Sequence, residues 1–522
     1  MFRKGRRSSV ALALAVVMAA CSNSDSPTEP AAPEAPAKPV IVSVTEQNGA
    51  LIITWNAVSG AEAYNVERQE VASGASFTGI ASGVTGTSYT DENVETGKSY
   101  NYRVLAVNAG GASSPSDPVP GTVGRKAAVL SGTISGIRTL SADTVYTITG
   151  IVIVDEGAEL HIPAGTLLHG SVSVQPSALI VRQGGKLFSE GTAEAPVVFT
   201  SENPEGSRRR GDWGGVVLNG RSLCNFPAGE CVGEGASGPY GGDVLDDNSG
   251  RVTYTRIEYA GFEVSFGNEL NALTLNGVGS GTEIHHVQVH YGSDDGVELF
   301  GGTVDLKYIL ATGNSDDSFD YSTGWQGRAQ FLLVQQDPDD ADNGFEVDGN
   351  EEDYDAEPFT DPRIYNVTLI GKGLNGEGGT AGESTRGMLQ RRGTAGKIYN
   401  AVIMGFGSEG IDIDNAETVG RFELHNSYIF GNAKPFSTDE DGIDEEAIVR
   451  TADWQNVIGT DPLLTDPFNR DAPDFRPQSG SPLLAGFASP PNDGFFSPVT
   501  YIGAIGPDET PWYAGWTTTA RN

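Results

Sequence analysis

Aspartate pairs recur in the second half of this 522-residue chain: Asp294/Asp295 in SDDGVELFGG (293–302), Asp316/Asp317 in SDDSFDYSTG (315–324), and an Asp342/Asn343 variant in ADNGFEVDGN (341–350). Three residues after the second member of each pair comes another carboxylate, Glu298, Asp320 and Glu346 in turn. Hard oxygen donors at this density suit Ca²⁺. The candidate metal ligands are therefore Asp294, Asp295, Glu298, Asp316, Asp317, Asp320, Asp342 and Glu346. The bland alternative is that each sits in an exposed turn, where Asp and Asn bond the local backbone and water screens their charge.

The next two copies of the element, STRGMLQRRG (384–393) and GSEGIDIDNA (407–416), bring Arg386, Arg391 and Arg392 to the end of the acidic run, and Tyr321 and Trp325 lie within it. Carboxylates, guanidinium groups and aromatic rings on one face can hold a sugar chain. The expected binding residues are Trp325, Tyr321, Arg391 and Arg392. If the face does chemistry, Asp295, Asp317 and Arg386 are the candidates for it.

Something must stack these segments. After about residue 128 no helical period appears, and short β-branched runs ending in Gly alternate with Asn- and Asp-rich turns. The runs TRIEYAG (255–261), HVQVHYG (286–292), KYILATG (307–313), QFLLVQQ (330–336), NVTLIGK (366–372), NAVIMGF (400–406) and NSYIFGN (426–432) repeat with a base spacing in the low twenties plus insertions. That is one coil of a solenoid, with each strand about 4.8 Å from the one before. Carboxylates at that spacing repel by roughly 1 kcal/mol in water and ~3 to 4 at an effective dielectric of 20, so the acidic column calls for neutralisation.

Asn366, Asn400 and Asn426 share one register, which resembles the asparagine ladders of right-handed parallel β-helix proteins, and their amides are expected to bond to one another. The segments YTITGIVIVDEGAELHIPAGTLLHG, LIVRQGGKLFSEGTAEAPVVFTS and GDWGGVVLNG read as earlier coils. This stretch resembles the β-helix domains of bacterial surface lipoproteins, and SGSPLLAGFASP…YIGAIGP is similar to their last turns. The layout of the acidic face looks like that of β-helix polysaccharide lyases, in which carboxylate-bound Ca²⁺ acidifies the sugar α-proton and a Lys or Arg removes it. Polygalacturonase-type hydrolases also use clustered aspartates, but their Gly-His-Gly element is missing; His285, His286 and His290 read as turn or strand residues.

Residues 39–123 alternate apolar and polar positions in short strands. Trp55, Tyr64 and Tyr100-Asn-Tyr-Arg-Val-Leu-Ala-Val-Asn108 resemble the fibronectin type III pattern, with Tyr100 as the tyrosine corner. The fold class expected is all-β, a fibronectin type III-like sandwich followed by a right-handed parallel β-helix over 128–522.

The first twenty residues combine a basic start (MFRKGRR) with an apolar stretch too short to span a membrane. Met18-Ala-Ala-Cys21 resembles a lipobox, which implies acylation at Cys21, export, and anchoring at the outer membrane or cell surface through the lipid alone. Residues 21–38, rich in Pro, Ala, Ser and Glu, read as a tether. Two cysteines remain, Cys224 and Cys231 in CNFPAGEC, and in an exported protein they form a small loop disulfide or two free thiols.

The net charge is −36, and removing the leader takes away four of the 33 basic residues, leaving 29 against 69 acidic ones. Such a surface repels phosphate backbones, so nucleic acid is excluded as a partner. No phosphate loop, HExxH, GxSxG or dinucleotide fingerprint occurs; an Arg210-Gly-Asp212 tripeptide does. Three functions fit: a surface lipoprotein binding extracellular polysaccharide or a surface protein, stabilised by Ca²⁺; a Ca²⁺-dependent polysaccharide lyase or glycoside hydrolase; and a structural surface scaffold.

Overall fold

The computed structural model describes residues 33–71, 74–227, 231–438, 442–507 and 510–522. Cys21 and most of the expected tether lie outside the described residues. The chain divides into two compact units between Gly124 and Arg125.

The N-terminal unit is a sandwich of two antiparallel sheets. Ile41–Gln47, Ala50–Trp55 and Ser88–Asp91 form one; Thr78–Val84, Ala63–Glu70, Ser99–Asn108, Gly111–Ala112 and Val119–Thr122 form the other. Strict alternation along Ser99–Asn108 buries Tyr100, Tyr102, Val104 and Ala106 against Leu51, Ile53, Trp55 and Tyr64. The Tyr100 hydroxyl accepts the Glu95 amide at 3.0 Å, which is the tyrosine corner expected from the sequence.

The second unit is a parallel β-helix with three faces, seen in its early coils. Thr144–Ile148, Ile151–Val154 and Glu159–Pro163 occupy successive faces, and Leu167–Gly170 then returns beneath the first, pairing with it in parallel. From Gly250 onward single strands of eight or nine residues run through one corner. The first half of Gly250–Glu258 pairs with Lys186–Glu190 and the second half with Val197–Ser201.

At that corner one residue per coil takes a left-handed backbone: Tyr254 (φ 43°), His286 (52°), Tyr308 (58°), Phe331 (63°), Asn366 (61°), Asn400 (59°) and Asn426 (51°). The conformation turns the chain between faces, and bulky side chains adopt it only when packing holds them there. Here the rings stack on one another, Tyr254 on His286 at 4.3 Å, His286 on Tyr308 at 4.4 Å and Tyr308 on Phe331 at 4.8 Å between centroids. This column corrects the sequence alignment of the coils by one residue at three steps, because Thr255 pairs with Val287 and not with His286, His285 with Lys307, and Gln330 with Tyr365. Strand ends marked by Gly do not report a corner residue inside the strand.

The asparagines correct a second expectation. Their amides do not bond to one another. Asn366 Nδ2 donates to the carbonyls of Tyr501 and Gly503, Asn400 Nδ2 to that of Ala488, and Asn426 Nδ2 to that of Gly486.

Those acceptors belong to a strap. The parallel ladder ends at Lys434–Phe436 and Val457–Ile458, and the segment expected to form further turns instead folds back over the outside of earlier coils. Leu464, Phe475, Leu483, Ile502 and Ile505 of the strap bury Leu310, Leu333, Ile370 and Val402. Near its end Thr518 and Ala520 reach back to Gln288 and His290.

Candidate functional site

Away from the strap lies an eleven-stranded parallel face whose central strands carry the acidic residues. We label them β1 (Leu273–Asn276), β2 (Val297–Phe300), β3 (Phe319–Ser322), β4 (Phe345–Val347), β5 (Arg386–Gln390) and β6 (Glu409–Ile413). Val297, Phe319, Phe345, Met388 and Ile411 stack inward in one column. Alternation sends the residue after each of them outward, so Glu298 pairs with Asp320 and Asp320 with Glu346 in register. The repeat read from the sequence is correct here to the residue.

The turn before each strand carries the other column. Asn271 Oδ1 accepts the Asp295 amide at 3.0 Å, Asp295 Oδ1 that of Asp317 at 3.0 Å, and Asp317 Oδ1 that of Asn343 at 2.7 Å. One oxygen of each aspartate is thus consumed in holding the next coil. At both ends an asparagine closes the ladder, Asn271 Nδ2 donating to Glu298 and Asn343 Nδ2 to Glu346. Asn271 was not anticipated, although NALTLN (271–276) has the register of DGVELF (295–300).

Three sets of carboxylate oxygens come within 4.8 Å of one another: Asp295/Glu298/Asp320, Asp316/Asp317/Asp342 and Asp317/Asp320/Glu346. At such separations the members of each set can reach one cation. Burial, and then the neighbouring carboxylates, hold Asp295, Glu298, Asp317 and Asp320 well above the usual carboxylate range. Burial followed by Asp316 pushes Asp294 up to about 7.

A pocket of about 350 Å³ opens over β2–β5. Its floor is Glu298, Asp320 and Glu346; Asp348, Glu351, Arg391 and Arg392 line it, and Phe226, Tyr240 and Phe300 supply aromatic surface. Phe226 comes from a loop closed by a Cys224–Cys231 disulfide, the pairing expected from CNFPAGEC, and Glu234 and Tyr240 from the segment that follows it. This loop is pinned across later coils by the Asn225 amide on the Thr323 carbonyl and by Asn350 Nδ2 on the Asn225 carbonyl. Glu234 is pushed to about 7 by burial and then by Glu269 and Glu351. Sequence spacing could not place this stretch over the acidic face, because only the three-dimensional coil brings residue 234 beside residues 298 and 346.

Arg391 bonds Glu346 and, at 2.6 Å, Asp348; Arg392 bonds Asp348 at 2.6 Å. Arg386 does follow Asn343 in the turn column, but its guanidinium pairs with Asp412 at 2.7 Å and it is not among the residues lining the pocket. Tyr321 and Trp325, expected to offer rings to a ligand, are each 1% exposed. Tyr321 is an inward residue of β3, and the Trp325 indole donates to the Val304 carbonyl inside the core. Both are core residues. The Arg-Gly-Asp tripeptide is also spent internally: Arg210 binds Asp337, Asp340 and the Gly313 carbonyl, while Asp212 accepts from Asn203 and the Arg209 amide.

Comparison with known proteins fits this geometry. A pectate-lyase-like β-helix domain profile matches residues 132–454, more than half of the chain. The chain belongs to the pectate-lyase-like β-helix family. The match on this family takes in every strand of the acidic face and stops short of the strap. A fibronectin type III profile, that of the SaeA third domain, matches residues 39–124. The amylopullulanases of Thermoanaerobacterium saccharolyticum and Thermoanaerobacterium thermosulfurigenes are 40% identical over 80 residues and 37% over 91, which is 15% and 17% of this chain. The chain spans only 6% and 5% of those relatives. Among solved structures, an Fn3-like protein from Clostridium thermocellum is 36% identical, over 18% of this chain and 97% of that one, with a TM-score of 0.16.

Proposed function

We propose that the protein is an exported, lipid-anchored, carbohydrate-binding β-helix whose ligand occupies the pocket over β2–β5 and whose turn column is neutralised by Ca²⁺. The observation that carries this reading is the pocket: in-register carboxylates and paired arginines beside an aromatic wall that includes Phe226 of the disulfide-closed loop, on the outer face of a pectate-lyase-like β-helix. Sugar-binding sites combine apolar ring surface with a few fixed polar groups in this way. Membership of that β-helix family and the fibronectin type III unit support a carbohydrate-interacting role at the cell surface, and the lipobox-like Cys21 supports the anchor.

Two functions are assigned to the two columns. Asp316, Asp317 and Asp342 in the turns hold the ion, which stabilises the coils; Glu298, Asp320 and Glu346 on the pocket floor meet the sugar. The test is a thermal melt of the purified chain with Ca²⁺ or EDTA, alongside binding to a polysaccharide panel. Saturating Ca²⁺ is expected to raise Tm by the equivalent of about 2 kcal/mol or more. An unchanged Tm sinks the calcium assignment, and absence of binding across the panel sinks the carbohydrate one.

Turnover is the second reading, and one observation favours it. Glu234, pushed to about 7 by burial, lines the same pocket as the carboxyl groups bonded by Arg391 and Arg392, and glycosidic cleavage needs such an acid beside a second carboxyl group. New reducing ends, or unsaturated products absorbing in the ultraviolet, are the readout.

A further inference from the structure

Six carboxylates line the pocket (Glu234, Glu298, Asp320, Glu346, Asp348 and Glu351) against two guanidinium groups, Arg391 and Arg392. Both guanidiniums are already bonded to carboxylates, Arg391 to Glu346 and Asp348 and Arg392 to Asp348. Among the described residues Glu298 and Asp320 form no direct ion pair, although the charge of Arg391 reaches Asp320. Asp320 Oδ1 is buried without a hydrogen-bond partner. A uronic acid in this pocket adds a negative charge where none is free to be matched.

Resting on the reading that this pocket binds carbohydrate, we infer that its ligand is an amino sugar, a glucosamine-type residue whose ammonium group sits between Glu298 and Asp320. An ammonium has N–H donors and no acceptor, and so matches two neighbouring carboxylates, one of which carries a buried oxygen without a hydrogen-bond partner. Oxygens of Glu298 and Asp320 lie within 4.8 Å of each other, close enough to flank one nitrogen. The pocket, about 350 Å³, is more than twice the roughly 150 Å³ that takes a benzene ring, so it holds one or two six-membered rings. Phe226, Tyr240 and Phe300 give the C–H faces of those rings an apolar wall. N-acetylation removes the charge and adds bulk, and is the change such a floor rejects.

The test is calorimetric titration of the full chain, in EDTA and then in Ca²⁺, with glucosamine tetrasaccharide, its fully N-acetylated counterpart, and galacturonate tetrasaccharide. The glucosamine form is expected to bind in EDTA at least tenfold more tightly than the other two, and Asp320→Asn or Glu298→Gln to abolish that preference while the melting transition persists. Equal or tighter binding of the N-acetylated form overturns the inference but keeps the carbohydrate reading. Galacturonate binding that appears only with Ca²⁺ does the same and returns the pocket to a cation-bridged acidic sugar. If none of the three binds and a wider glycan panel also fails, the carbohydrate reading itself is wrong.

Discussion

Tyr321 and Tyr240 show how far function depends on which way one side chain points. Tyr321 stands one position after Asp320 on β3, and the two-residue period of a strand sends it into the core, whereas Tyr240 reaches the pocket from a loop. Trp325→Ala is therefore expected to cost about 3 to 5 kcal/mol of stability through the cavity it leaves, while ligand affinity of the folded fraction stays unchanged. Tyr240→Ala should do the reverse, weakening ligand binding at least fivefold with a smaller shift in melting. Asp294 yields a pH prediction. Its carboxyl is pushed up to about 7 in the folded state from an ordinary value of 3.8, so the folded state holds this proton at pH values where the unfolded chain has released it. Stability contributed at this site is then unaffected below about pH 4, falls as the pH rises toward 7, and stays low above it. In EDTA at pH 8, Asp294→Asn should raise stability by about 1 to 2 kcal/mol, allowing for screening at a partly buried site, and at pH 4 it should change little. Equal effects at both pH values would show that the carboxyl is not strained by ionisation.

At the scale of strands and turns, the acidic face was legible because its signal is doubled. Val297, Phe319, Phe345, Met388 and Ile411 repeat inward while Glu298, Asp320 and Glu346 repeat outward, and a one-residue slip would have exposed the first set. The opposite corner had no such check. Tyr254, His286, Tyr308 and Phe331 share a backbone conformation and a stack but no side-chain type that spacing alone would group. The disulfide could be read from the spacing of Cys224 and Cys231, yet nothing in that spacing said what the loop covers. Asn366, Asn400 and Asn426 were found in the right register and given the wrong partners, since their acceptors lie 60 to 137 residues downstream. Repeats report what adjacent coils share. They are silent about a segment that crosses several coils at once.

For the whole β-helix, that crossing segment changes the rule by which the domain holds together. In a simple solenoid each coil touches only its neighbours, so stability is a sum of local terms and either end can fray independently. Here Ala488 is bonded at Asn400, Ser497 at Gln330, Gly503 at Asn366, Thr518 at Gln288 and Ala520 at His290, so one segment of chain reports on coils spread over more than a hundred residues. Removing residues 486–522 is expected to split one thermal transition into at least two and to raise amide exchange first along Gly250–Glu258 and Glu283–His290, the strands farthest back along the strap. A single transition, merely shifted down, would mean that the coils already act together without it. Two transitions would show that the strap gives a repetitive fold long-range cooperativity. The acidic face lies on the same coils, so its strands are tied together by a segment that contributes no residue to the pocket they carry, and a surface built from repeats is held as one unit and not as a string of separate coils.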